Sequence, residues 1–297
     1  MVVSTATGRV VRTLATQVSI LEPGIPNVSV APDGTVFFES ATPSLGNPGG
    51  SGDEMFSVPM AGGPVRALGP GSDPQVSPDG RFLAFIGPDP AGAAGEAPYL
   101  VPPVGIDIAT LASGTLGSLR TLEPGPLQMN QGASDLSWSS DSQRLSVDLL
   151  DPSTNLTTAW TVVPGMSSSL AAATQIPLQT GLTWNGYWGK AGAGGDVGLG
   201  VLHDGAGTDQ VVTVNPLTGR VVRRLFRIPG ALFPDFSTSA VGDTSGTSIL
   251  VAGVTPLING TPTTSGASYL YRWQEGDRAP TKVAGNVQVA TWGPGSH

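Results

Sequence analysis

Hydrophobic positions in this chain come in short runs separated by turn residues. Thr35-Val36-Phe37-Phe38, Arg81-Phe82-Leu83-Ala84-Phe85 and Gln143-Arg144-Leu145-Ser146-Val147 are too short for helices and rich in strand formers. Each follows a turn tetrad: Ala31-Pro32-Asp33-Gly34, Ser77-Pro78-Asp79-Gly80 and the degenerate Ser139-Ser140-Asp141-Ser142. Proline presets φ at the first central position, aspartate tolerates the next, and glycine takes positive φ. Each tetrad therefore predicts a tight hairpin between two strands, a and b. Only Met166 to Ala173 reads as a turn or two of helix.

The pattern repeats. Thr7-Gly8-Arg9-Val10-Val11-Arg12 recurs without change as Thr218-Gly219-Arg220-Val221-Val222-Arg223. An Arg-x-Leu pair occurs at Arg12/Leu14, Arg66/Leu68, Arg120/Leu122 and Arg223/Leu225, and Thr174-Gln175-Ile176 and Thr281-Lys282-Val283 fill the remaining places of a period near 54 residues. Within one period, strand b is followed by a variable loop. Strand c comes next (Gln210 to Val214, Tyr269 to Trp273), then a turn such as Leu217-Thr218-Gly219, then strand d. Four-stranded antiparallel units at such a period are the signature of propeller blades. Copies of strand a near Val28, Gln75, Leu136, Leu182, Ser237 and Val289 predict a six-bladed all-β propeller, a single domain over residues 1–297. Its sixth blade would be closed by N-terminal strands c–d (Met1 to Ser4, Arg9 to Leu14) and the C-terminal strand a, removing an open edge. One strand b is missing from this count. Either that blade is three-stranded or, as expected here, the missing strand lies beyond His297 or before Met1, where an upstream membrane anchor could join.

Ser-Pro-Asp-Gly-Arg-Phe-Leu-Ala-Phe at 77–85 resembles the TolB-type β-propeller repeat, a relative of WD-type repeats. The likeness is sharp at 31–38, 77–85 and 139–147. The fourth and fifth copies, around Gly192 to Asp196 and Gly242 to Gly246, keep turn residues without the tetrad. The resemblance implies a protein-docking platform of the bacterial envelope, or a domain of a larger hydrolase or sensor. An extracytoplasmic location follows as an expectation, although Met1 opens directly on strand-like residues rather than a signal peptide.

Composition narrows the chemistry. Charged residues are 12% and the formal charge is −8, with no basic cluster, which argues against nucleic acid as a partner. No run of apolar residues is long enough to span a membrane. The absence of cysteine excludes disulfides, thiolate nucleophiles and thiolate metal ligands. His203 is the only internal histidine; with no Gly-x-Ser-x-Gly elbow and no zinc-ligand spacing, His203-Asp204-Gly205 reads as a surface loop. Asp33, Asp79 and Asp141 read as turn formers rather than catalytic carboxylates, and Trp138, Trp184 and Trp292 as packing residues. Gly46 to Gly52 lacks the Lys-Ser/Thr ending of a phosphate loop. No catalytic residue, metal or cofactor is assigned.

What remains is charge placement. The segments between strands b and c carry Asp53, Glu54, Asp89, Glu96, Asp148, Asp151, Asp204 and Asp209 beside His203, with no Lys or Arg. The b–c loops and d–a connections share one face, and the d–a connections add Glu22, Asp73, Glu123 and Asp235, against Arg227. Arg9, Arg12, Arg66, Arg120, Arg220, Arg223 and Arg224 belong to c–d hairpins and outer strands. The reading is a non-catalytic scaffold or binding propeller that docks a protein partner, a basic segment, on a long-looped acidic face. The alternative is a lactonase-like propeller hydrolase with a divalent cation in the central channel. The expected structural turn residues are Pro32, Asp33, Gly34, Pro78, Asp79, Gly80, Asp141, Gly8 and Gly219.

Overall fold

The computed structural model describes residues 2–3, 10–12, 14, 27–43, 51–87, 105–112, 114–122, 132–151, 156–165, 169–191, 195–203, 209–232, 240–243, 246–255, 257–258, 261–262, 268–285, 287 and 291–292. The chain divides into two compact units, Leu14–Gln175 and Met1–Thr13 with Ile176–His297.

Chain order begins in the second of these, with β1 (Val2–Val3) and β2 (Val10–Arg12) paired as a two-stranded antiparallel sheet. The unit Leu14–Gln175 then holds three antiparallel blades, each a meander in which sequence neighbours pair. Blade I is β3 (Val28–Val30), β4 (Thr35–Pro43), β5 (Ser51–Pro59) and β6 (Arg66–Pro70). Blade II is β7 (Ser72–Val76), β8 (Phe82–Ile86), β9 (Ile106–Ala112) and β10 (Thr115–Leu122). Blade III is β11 (Gly132–Trp138), β12 (Leu145–Asp151), β13 (Leu156–Val162) and β14 (Thr174–Gln175). A single 3₁₀ turn, Leu170–Ala172, capped by Ser169, occupies the stretch that read as weakly helical.

The other unit continues with blade IV: β15 (Leu182–Ala191), β16 (Gly195–His203), β17 (Asp209–Val214) and β18 (Val221–Arg227). In blade V, β19 (Ala231–Leu232) and β20 (Ala240–Gly242) share one edge of β21 (Ser248–Thr255). A small hairpin, β22 (Leu257–Ile258) with β23 (Thr261–Pro262), precedes β24 (Tyr269–Gln274) and β25 (Thr281–Gly285).

Among the described residues the blades therefore number five, which corrects the six expected from the repeat. Counting strand d overstates the number, because among the described residues the first copy brings only β1 and β2, two and three residues long, and no strand b. Two such strands make their own ribbon, which lacks the area to form a blade. Residues 288–290, where the closing strand a was expected, lie outside the described residues, and Thr291 and Trp292 are not in a strand.

Within Leu14–Gln175 the first strands of successive blades face one another, β3 on β7 and β7 on β11. Their apolar side chains build two clusters. Ala31, Phe37, Met55, Leu83, Phe85 and Ala109 join blades I and II; Ile86, Ile106, Leu136, Trp138, Leu145 and Val147 are among those joining II and III. Trp138 stacks on Phe82 at 6.1 Å and donates its Nε1–H to Gln75 O at 3.0 Å, so its polar edge is satisfied by the neighbouring blade.

The a–b turns follow the tetrad chemistry. Asp33 accepts from Thr35 N (2.9 Å), Asp79 from Arg81 N (3.1 Å) and Ser77 Oγ (2.7 Å), and Asp141 from Gln143 N (3.0 Å) and Ser139 Oγ (2.6 Å). Gly80 has φ +72° and lies so close to Pro32 that a Cβ would sit 3.0 Å from its ring. In blade III the same place holds Ser142 at φ +59°, whose Oγ accepts from Asp79 N at 3.1 Å. The hydrogen bond to the preceding turn offsets the left-handed strain of a non-glycine residue.

Candidate functional site

Six residues before each turn aspartate stands a short polar residue: Asn27 before Asp33, Asp73 before Asp79, Asp135 before Asp141. Asp73 and Asp135 adopt φ of +50° and +53°, conformations that aspartate tolerates better than most residues. Strand register slips at both places, between Ser72 and Gln75 on β7 and between Ser134 and Ser137 on β11. Such bulges re-aim a side chain that regular alternation would send elsewhere. Both carboxyls end up buried, Asp73 at 2% exposure and Asp135 at 8%.

Asp73 is tied to three blades. Its backbone N–H donates to Glu39 Oε2 of β4, and Glu39 Oε1 accepts from Asn27 N at 3.0 Å. Its own carboxylate accepts from Gln75 Nε2 (Oδ1, 3.1 Å) and from Leu136 N of β11 (Oδ2, 2.5 Å). Asp148 enters from β12, opposite Ser134; it is 5% exposed, and its Oδ1 is buried without a hydrogen-bond partner. Burial, then the charges of Asp135 and Glu39, outweigh these hydrogen bonds and push the Asp73 carboxyl up to about 8. Asp148 is raised well above the ordinary carboxylate range, first by burial, then by Asp135 and Asp73. Among the described residues, no three acidic or histidine side chains converge closely enough to hold a metal ion.

The expected site residues divide. Asp148 joins the buried cluster, whereas Glu54 is half-buried on β5, beside Asp53 in the backbone order, and Asp151 ends β12. Asp89, Glu96, Asp204 and, among the turn residues, Gly8 lie outside the described residues. His203 and Asp209 do meet, opposite each other at the ends of β16 and β17, with Nδ1 to Oδ1 at 2.8 Å. Thr183 Oγ1 lies 3.5 Å from His203 Nε2, which gives the connectivity of a hydroxyl–imidazole–carboxylate relay. The hydroxyl, however, donates to Val201 O at 3.2 Å, and both it and the imidazole are exposed on the sheet. Nothing there aims the hydroxyl at a substrate carbonyl. That Asp73 and Asp135 meet the expected residue Asp148 escaped the sequence reading; the signal for the first two was the fixed interval of six residues to the turn aspartates.

No protein-family model and no curated protein matches the sequence. Solved structures do match the fold. The structure of a putative TolB from Agrobacterium tumefaciens covers 91% of this chain and 84% of its own at a TM-score of 0.60 and 12% identity. The fold is a TolB-type β-propeller. The propeller domain of the Trilobed protease from Pyrococcus furiosus, described as having an open velcro topology, matches this TolB-type chain over 86%, and 70% of its own length, at a TM-score of 0.50 and 14% identity. A puromycin-hydrolyzing peptidase from Mycobacterium tuberculosis matches over 88% at a TM-score of 0.50 and 17% identity, but this chain spans only 38% of that protein.

Proposed function

We propose that this TolB-type propeller is a non-catalytic binding domain that docks a basic protein segment on the side where strands b and c are joined, in an extracytoplasmic setting. Charge placement in the unit Leu14–Gln175 carries the reading. Toward that side stand Asp53 and Glu54 on β5 and Asp151 at the end of β12, opposed among the described residues of this unit only by Arg120 on outermost β10. At the opposite ends Asp33, Asp79 and Asp141 are balanced by Arg66, Arg81 and Arg144. A one-signed rim draws an oppositely charged partner and fixes its approach. β4 and β5 extend the pairing out to Pro43 and Ser51, so the scaffold presents the acidic residues of β5 on a paired ribbon. Among the described residues no helix is long and apolar enough to cross a membrane.

The test is titration of a labelled lysine-rich peptide onto the protein and onto a variant with Asp53, Glu54, Asp89 and Glu96 replaced by Lys. The parent should bind with an affinity that falls as salt rises, and the variant at least about tenfold more weakly with an unchanged melting temperature. Equal binding by both, or cross-links that map to the arginines of the outer strands, refutes the reading.

A further inference from the structure

We propose that Asp73, Asp135 and Asp148 form a proton-held latch between blades II and III, closed while Asp73 and Asp148 are protonated and loosened when alkaline pH removes their protons. The latch is geometric first. Asp73 belongs to β7, yet its carboxylate receives Leu136 N of β11, and its backbone N–H reaches Glu39 of β4. Asp148, from β12, carries a buried oxygen with no hydrogen-bond donor aimed at it. A carboxylate anion in that position would leave a desolvated negative oxygen uncompensated, whereas a protonated carboxyl would not.

Among the described residues no cationic side chain is at hand to take the proton's place. The strands packed on the cluster, β3, β4, β5, β7, β8, β11 and β12, contain no Lys, Arg or His. Their titratable groups are Glu39 on β4, Asp53 and Glu54 on β5, and Asp148 and Asp151 on β12, beside Asp73 and Asp135 themselves; β3 and β8 have none. One strand further, Asp107 of β9 is occupied by Thr121 Oγ1 at 2.5 Å. Among the described residues every titratable group on these strands is thus of the same sign, and a second negative charge in the cluster is opposed by burial and by repulsion together.

The direction of the pH response follows. The unfolded chain loses its aspartate protons near pH 4, while folded Asp73 holds its proton to about 8. Between these limits the folded Asp73 binds more proton than it does in the unfolded chain, so its contribution to stability is greatest in acid, falls as pH rises, and levels off above about 8.

The experiment is urea unfolding of the full chain from pH 5 to 9, with the amide exchange of Leu136 followed in parallel. The variants are Asp73→Asn and Asp148→Asn, which imitate the protonated acid. For the parent, the unfolding constant should rise about tenfold per pH unit for each proton held, and the protection of Leu136, its exchange rate relative to the base-catalysed intrinsic rate at the same pH, should fall above pH 8. Both variants should flatten this slope and outlast the parent at pH 9. Should Asp73→Asn fail to fold, Asp148→Asn and the parent profile still decide the matter. A flat parent profile, or variants that keep its slope, overturns the proposal. So does rescue of the parent at pH 9 by millimolar Ca²⁺ or Mg²⁺, which would make the cluster a cation site.

Discussion

Gly219, in the turn between β17 and β18, offers a sharp test of how the Thr-Gly-Arg-Val-Val-Arg repeat folds. Asn215 Oδ1 caps this turn by accepting from Leu217 N (2.8 Å) and Thr218 N (3.1 Å), and Gly219 N donates to Asn215 O at 2.8 Å. Gly219 has φ +63°, and a Cβ there would lie 1.9 Å from Pro177 O and 2.3 Å from Pro177 C. Both obstacles are backbone, and Gln179 N donates to Gly219 O at 3.2 Å, so the two segments must part by about 1 Å and stretch that bond. Gly276 supplies the control. Its φ is +97°, but nothing lies within 4 Å of its would-be Cβ. Gly276→Ala should therefore show left-handed strain alone, about 1–2 kcal/mol. Gly219→Ala adds overpacking against a fixed backbone and a weakened hydrogen bond, for a total of about 3 kcal/mol or more. Urea unfolding followed by tryptophan fluorescence reads the difference, since Trp184, Trp188 and Trp273 are all buried in the same unit. Destabilisations within about 0.5 kcal/mol of each other would show that the Pro177 contact does not constrain the turn.

Two further outcomes follow from the turns and the exposed histidine. Asp79→Ala should cost about 1–2 kcal/mol, because Ser77 Oγ and Arg81 N lose their acceptor, while Arg81→Ala should cost under about 0.5 kcal/mol, because that ion pair is largely solvent-exposed; equal losses in thermal unfolding would refute the assignment. The hydrogen bond from His203 to Asp209, working against burial, raises the His203 pKa above 6.5. The stabilisation from this pair is therefore complete below about pH 6.5 and lost as pH climbs through the folded value, and with the imidazole 44% exposed it amounts to less than about 0.5 kcal/mol. Asp209→Asn should bring the imidazole titration, read by NMR, down toward 6.5, and an unmoved titration would sink the assignment.

Local chemistry made much of this protein legible. Turn type depends on a few adjacent residues, so Ala31-Pro32-Asp33-Gly34 and its two relatives announced their hairpins and with them the four-stranded unit and its TolB-type likeness. Even the obscure strand d of blade III, found only by spacing at Thr174-Gln175-Ile176, is present as β14. The blade count was not legible, because a repeat counts whatever strand it is read from, whereas a blade exists only if its partners pair; β1 and β2 have each other and no third strand among the described residues. The buried acids were hidden for a related reason. Asp73 read as part of a surface connection and Asp148 as the edge of a loop, since aspartate is ordinarily exposed and a strand end looks like a loop in a glycine-rich chain. Their burial comes from packing blade II on blade III, across 63 residues of sequence between Asp73 and Leu136. It depends as well on bulges at Asp73 and Asp135 that turn each carboxyl inward. Hydrogen bonds between neighbours in the chain are written in residue identity, but desolvation is a property of everything that surrounds a group, and only the assembled sheets set it.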